Sequence, residues 1–308
     1  MRVIVTGASG FIGRNVLLRA PRDWQITAVY HRTADLEAFV ADHGLARVTP
    51  VRCDLTSQAD GAALEKGVGG RADAVLYLAA NGDPAASVER PRWDLESNTL
   101  ALVNFLEHCP AAHVVYVSSG AVYDGLVGAV SPWSAVSPRL PYAISKLAAE
   151  QYVRFFAERR GAIGSYLNVR FFGAYGPYEP QRKITTRWMR AAMDGQRQFT
   201  IRGDGENLVD FMYVDDAVEG LLTLTTAAGE SGTVDFASGA PIRVNDVVRT
   251  MARALGADLD LVYEKQSAEY IQFQTGDTAM ADRFGVRPKI PLTEGLARLQ
   301  RFLAGHPV

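Results

Sequence analysis

Residues 3–18 read VIVTGASGFIGRNVLL, with Gly7, Gly10 and Gly13 at the end of a β-rich run and the start of a helix predicted from about Gly10. The spacing is GxxGxxG. Gly7 permits the tight turn, Gly10 lets the backbone approach a pyrophosphate, and Gly13 lets the helix pack close to the strand while its first amides face the phosphates. A glycine triplet alone describes many strand-to-helix turns. At the first βα junction of an alternating chain it points to dinucleotide binding, with Phe11 and Ile12 in the same junction.

The alternation is visible outward from that loop. The runs VIVT (3–6), ITAVY (26–30), VTPVRC (48–53), AVLYLAA (74–80), HVVYVSS (113–119) and SYLNVRF (165–171) are separated by amphipathic or Ala/Leu-rich stretches. This rhythm predicts an α/β fold with a doubly wound parallel sheet, a Rossmann domain over residues 1–170. After residue 170 it breaks into the loops FFGAYGPYEP and IRGDGEN, with a helix near 182–194. Residues 171–308 therefore read mainly as a smaller C-terminal substrate-binding region, and a stretch at about 215–240 is able to return and extend the first sheet.

Composition narrows the functional classes. The 308 residues are 48% hydrophobic with a formal net charge of -2, enough for a sizeable core and without the basic footprint of a nucleic-acid or membrane-surface binder. Neither partner is expected. Cys53 and Cys109 are too few for a disulfide framework or a zinc site, so no metal is expected and a reducing cytoplasm is the expected compartment. The chain opens directly on RVIV, so no leader is expected, and no apolar run approaches a membrane span.

The choice of dinucleotide turns on the end of the second strand, where a carboxylate would bind an unmodified ribose and repel a 2′-phosphate. ITAVY runs instead into His31-Arg32, and Asp35 comes later, in the predicted next helix. Arg32 suits a 2′-phosphate, which favours NADP over NAD; a solvated surface arginine is the plainer alternative. Asp54-Leu55, after the third strand, offers either a clamp on the adenine amino group or a cap for the following turn.

The segment PYAISKLAAEQYV sets Tyr142 and Lys146 four residues apart, on one helix face. A free tyrosine has a pKa of about 10, and an adjacent ammonium favours its phenolate, bringing it towards use as a general acid or base. Ser119, closing VVYVSS, is placed to hydrogen-bond the reacting oxygen and orient it towards Tyr142. Each element alone is commonplace, but all three fall on the carboxyl side of the predicted sheet.

An ordered series of motifs now accumulates: TGASGFIG at 6–13, Asp54-Leu55, YLAA at 77–80, Asn98 in ESNTL, VSSGAVYDG at 117–125, YAISK at 142–146, YGP at 175–177, GDG at 203–205 and YVDDA at 213–217. In this the chain resembles the extended short-chain dehydrogenase/reductase family, in its branch of NAD(P)-dependent nucleotide-sugar epimerases, dehydratases and reductases. The resemblance implies that Ser119 polarises the substrate, Tyr142 is the base or acid, and Lys146 binds the cofactor ribose. It implies that Ala79 and Ala80 line the cofactor and that Asn98 supports the active-site region. It also implies a homodimer formed by the Tyr/Lys helix and the preceding long helix, about 92–108.

Three departures from the family pattern refine the expectation. Gly120-Ala121 stands where dehydratases carry Asp-Glu after the serine, which argues for an epimerase or 4-ketoreductase and against a 4,6-dehydratase. Gly173 replaces a common Asn before YGP, and Val209 replaces a common Arg before DFMYVDDA, so two diphosphate contacts are missing. Lys183, Arg187 and Arg190 share one predicted helix face, with Arg182 before it and Arg202 in the next loop; they either supply diphosphate contacts or form a solvated basic face. Trp188 and Tyr178 read as stacking partners or as core. Two further alternatives stay open: a non-nucleotide ketone or alcohol as substrate, and a dinucleotide-binding sensor or scaffold without turnover.

Overall fold

The computed structural model describes residues 1–33, 35–265 and 272–306. Five parallel strands open the chain, β1 (Arg2–Thr6), β2 (Gln25–Tyr30), β3 (Val48–Arg52), β4 (Ala72–Tyr77) and β5 (Ala111–Ser119). With strands Ile163–Phe171 and Gly232–Phe236 they form a seven-stranded sheet, ordered 232–236, 163–171, β5, β4, β1, β2, β3. The order reverses beside β1, the switch point at which doubly wound sheets bind ligands beyond their carboxyl ends. The 215–240 segment supplies the outermost strand, Gly232–Phe236, paired in parallel with Ile163–Phe171 from Gly232 opposite Leu167 to Phe236 opposite Phe171.

Continuous apolar runs make these strands because both sheet faces are covered. Val3, Val5, Ala74, Leu76 and Val115 pack with helices α1 (Phe11–Arg19) and Val214–Thr225, whereas Ile4, Val75, Tyr77, Val114 and Tyr116 pack on the other face. Helix α2 (Leu36–Asp42) joins the first face through Leu36 and Phe39, and the second is covered by α3 (Gln58–Val68) and the helices that follow. These are α4 (Pro84–Glu89), α5 (Pro91–Leu95), α6 (Ala101–His108) and α7 (Pro141–Glu158), the last carrying Tyr142 and Lys146.

Two local departures from the sequence reading shape the site. The run 74–80 leaves the sheet after Tyr77, because the Thr6 hydroxyl oxygen accepts from the Leu78 and Ala79 amides, both at 3.1 Å, and folds this end beneath the glycine loop. The expected helix over about 92–108 contains a π-turn, Glu96–Leu100, between α5 and α6. Its side chains are tied inward, Asn98 to Asp94 and Ser145 and Thr99 to the Ser145 carbonyl.

Among the described residues no helix is long and apolar enough to cross a membrane, and no group of three or more His, Cys, Asp or Glu is placed to hold a metal ion.

His113 is fully buried on β5, its ring bonded to Ser165 Oγ at 2.8 Å and the Leu224 carbonyl at 3.1 Å. Burial pushes its pKa below the ordinary 6.5, against those two bonds. The unfolded chain therefore takes up a proton that the folded one refuses, so this contribution to stability is full above about pH 6.5 and is lost as the pH falls below it. We expect the urea midpoint to fall more steeply between neutral and mildly acidic pH in the wild type than in His113→Gln; equal slopes in the two titrations would show that His113 does not contribute.

Candidate active site

Gly7 adopts φ +64°, and a Cβ there would lie 2.8 Å from the Ala79 amide nitrogen. Gly10 caps α1 from an extended conformation, leaving the first helical amides directed outward. A Cβ on Gly13 would stand 2.4 Å from the Gly7 carbonyl oxygen and 2.6 Å from that of Ala8, so the loop and the helix are pressed together with no room for a methyl group.

Above this loop lies a cleft of about 450 Å³. Gly7, Gly10, His31, Arg32, Asp54, Leu55, Ala79 and Ala80 line it, as do Ser9, Thr56, Asn81, Trp93, Glu96 and Ser97, which the sequence did not single out. Ser97 and Glu96 enter through the π-turn, for which no sequence signal exists. Phe11 and Ile12 are half-buried with side chains on the core, and Gly13 is buried behind the loop, so these three do not face the cleft. The shape fits a dinucleotide: a cradle closed to any Cβ, a helix N-terminus, and a long groove running towards β2 and β3.

At the far end of the groove no carboxylate follows β2. Asp35 is the N-cap residue of α2, not a member of it, and is ion-paired with Arg14 at 2.5 Å. Asp54 accepts hydrogen bonds from the amide and hydroxyl of Thr56, so it caps its own turn while its other oxygen lies 3.6 Å from His31. Burial works against its charge, but these bonds and the neighbouring His31 and Arg32 hold its carboxyl below the usual range. Arg32 is exposed on the rim.

Ser119 is the last residue of β5, and its Oγ accepts from the Ala121 amide at 3.1 Å, capping the short turn Gly120–Tyr123. Tyr142 sits in the first turn of α7, just after Pro141, with its amide held by Ser87 Oγ at 3.1 Å. Burial pushes its phenol up; a hydrogen bond with Ser119 opposes this, and the charge of Asp94 adds to it. Lys146 is 3% exposed; its Nζ donates to the Val117 carbonyl at 2.8 Å and stands 5.0 Å from the centre of the Tyr116 ring. Burial lowers the ammonium pKa to about 8, against the raising charges of Asp94 and Glu150. Asn98 lies behind the cleft, accepting from the Asn81 amide at 2.7 Å and donating to Asp94 and Ser145, both at 2.9 Å.

The basic residues of the second half divide. Helix α8 (Ile184–Met193) and strand Gln198–Arg202 border a second cavity of about 610 Å³, into which Arg187 and Arg202 both open, over Trp188 and Phe199. Lys183 is exposed at the N-cap of α8 and outside the cavity. Arg190 does not join them: it donates to the His306 carbonyl at 3.0 Å, because the C-terminal helix Leu292–Gly305 packs along that side of α8. Arg182 pairs with Asp83 at 3.1 Å. Trp188 is buried against Phe199, and Tyr178 packs between Phe39 and Phe302, so both belong to the core. Gly173 has φ +146°, a conformation that favours glycine, and Val209 pairs with Ile242 in a two-stranded ribbon; neither lines either cavity.

A family profile described as "NAD dependent epimerase/dehydratase family" matches residues 3–236. The chain belongs to this family. Its members are extended short-chain dehydrogenase/reductase enzymes, and the Rossmann sheet and glycine cradle are those of that fold. The chain is 28% identical to the dTDP-glucose 4,6-dehydratase of Mycolicibacterium smegmatis over 94% of this chain and 88% of the relative. It is 24% identical to the UDP-glucose 4-epimerase of the same organism, over 98% of each. Among solved structures, MoeE5 in complex with UDP-glucose and NAD superposes with a TM-score of 0.86 at 28% identity, covering 99% of both chains. Epimerases and dehydratases thus both stand among the relatives of this family member.

The absence of space at Gly13 sets a test of the cradle. Gly13→Ala forces backbone apart and should cost about 1–3 kcal/mol of stability and ten-fold or more in dinucleotide affinity. Gly67→Ala in α3, where a Cβ meets nothing within 4 Å, should stabilise slightly and leave affinity unchanged. Calorimetry showing equal affinity for both variants would remove the glycine loop from the cofactor site.

Proposed function

We propose that this enzyme moves a hydride between a nicotinamide dinucleotide, NADP in preference to NAD, and a secondary alcohol or ketone of a nucleotide sugar, as an epimerase or 4-ketoreductase. The observation that carries this reading is the hydrogen bond between Ser119 and Tyr142 at the carboxyl edge of the sheet, with the Lys146 ammonium on the carbonyl of Val117, two residues before Ser119; none of the three lines the cleft of the glycine loop itself. The bound dinucleotide supplies the hydride acceptor or donor. Ser119 orients the reacting oxygen, Tyr142 takes or returns its proton, and the Lys146 ammonium stabilises the phenolate and binds the ribose.

Dehydration requires a further acid and base beside the serine. Gly120-Ala121 provides neither, and a Cβ on Gly120 would come within 3.1 Å of the Phe172 ring, which argues against an acidic side chain at that point. The nucleotide end of the substrate suits the second cavity, where Arg187 and Arg202 offer charge-assisted contacts to a diphosphate. The preference for NADP is supported by the exposed Arg32 on the rim and by the engagement of Asp35 with Arg14. Leu95, Leu100, Ile144, Tyr152 and Phe155 are exposed on α5 to α7, an apolar face suited to a homodimer.

Tyr142→Phe should abolish most turnover of UDP-glucose or dTDP-glucose while leaving cofactor affinity nearly intact, since only the hydroxyl is lost; near-normal turnover would refute the assignment. Separate titrations of the two cofactors test the other half. A charge-assisted bond is worth about 1.5–3 kcal/mol, so Arg32→Ala should weaken NADP roughly ten-fold or more and spare NAD. Equal weakening of both, or a wild type that prefers NAD, would overturn that preference.

A further inference from the structure

We propose that Asp94 is a positioning residue for the acid–base pair: its carboxylate fastens the first turns of α7 to the floor of the cofactor cleft and imposes its charge on both Tyr142 and Lys146. The inference rests on the reading of those two side chains as the acid–base machinery.

Asp94 is fully buried. One oxygen accepts from Asn81 Nδ2 at 2.7 Å and from Asn98 Nδ2 at 2.9 Å; the other accepts from Ser145 Oγ at 2.6 Å. Asn81 lines the cleft, and Ser145 stands on α7 between Tyr142 and Lys146. The carboxylate thus joins the cofactor floor to the catalytic helix through single hydrogen bonds. The π-turn completes the attachment, since its Thr99 hydroxyl donates to the Ser145 carbonyl at 2.9 Å. π-turns often accompany functional sites, and here the extra residue brings Asn98 round to the carboxylate.

A buried carboxylate is costly and is tolerated only when its oxygens are fully bonded. These donors are two amides and a hydroxyl, which satisfy the oxygens without cancelling the charge. The other charged or titratable groups around Lys146 are Tyr142 and Glu150 on α7, Tyr116 on β5 and, beside Tyr116, Tyr77 on β4. Glu150 is itself paired with the buried Arg170 at 2.9 Å, so its charge is largely answered. Asp94 raises both the Tyr142 phenol and the Lys146 ammonium, each of which burial has already displaced.

Charge separates this role from a structural tie. If activity needs the phenolate and the ammonium together, the two limbs of the rate profile report the coupled ionisations of Tyr142 and Lys146. Removing the negative charge lowers both pKa values, so both limbs move towards lower pH. The variant is Asp94→Asn, measured by the pH dependence of kcat for UDP-glucose with oxidised cofactor, and by the ultraviolet phenolate titration of the holoenzyme after subtraction of Tyr142→Phe. We expect both limbs and the phenolate titration to move down by roughly half a pH unit or more. Ser145→Ala keeps the charge and cuts the tether; it should lower kcat about ten-fold, on the scale of one misaligned catalytic group, without moving either limb. A fall in rate with unshifted limbs in Asp94→Asn overturns the proposal. Should that variant not fold, an unchanged kcat in Ser145→Ala overturns it. If the wild type does not turn over UDP-glucose, the substrate reading fails by itself, and the phenolate titration still decides the role of Asp94.

Discussion

The close approach of the first loop to its surroundings governs much of this molecule. Gly7 sits against the Ala79 backbone and Gly13 against the carbonyls of Gly7 and Ala8, at separations that admit no side chain. Because the loop is thin, the end of β4 folds beneath it and hangs from the Thr6 hydroxyl. That fold opens the cleft on one side and, through Asn81, reaches Asn98 of the π-turn on the other.

From the cleft floor inward, polar groups replace hydrocarbon as the means of attachment. Asn81, Asp94, Asn98 and Ser145 form a buried set bonded to one another, and Ser118, Glu150, Arg170, Tyr123 and Asp235 form a second set behind the Ser119 turn. Both flank α7. Apolar packing fixes that helix against the sheet through Ala149, Val153 and Phe156, but such contacts tolerate small slides. Directional bonds at both sides hold Tyr142 and Lys146 in place, the precision that the proposed proton transfer at a fixed oxygen demands.

Membership of the NAD dependent epimerase/dehydratase family leaves the chemical outcome to local differences. An epimerase, a reductase and a dehydratase share the hydride step and differ in what else stands beside the substrate. In this chain the place beside Ser119 is filled by Gly120, where a Cβ would meet the Phe172 ring, and the second cavity is bordered by Arg187 and Arg202.

The sequence by itself determined the sheet and the glycine turn, and it placed Ser119 at a strand end and Tyr142 and Lys146 one helical turn apart, because strand alternation, the GxxGxxG turn and a four-residue helical spacing are all set by neighbours in the chain. It did not determine which cations share a cavity. Helical spacing puts Arg187 and Arg190 on one face of α8, yet Arg190 is taken up by the carbonyl of His306, over a hundred residues on, while Arg202 arrives from a separate strand to border the same cavity as Arg187. Asp94 and the π-turn were also invisible, since a lone aspartate in PRWDLESN carries no local pattern and acquires its meaning only when Asn81 and Ser145 are folded against it. Local periodicity follows from backbone geometry within a few residues, whereas a buried charge is placed by donors that only the packed tertiary structure brings within reach.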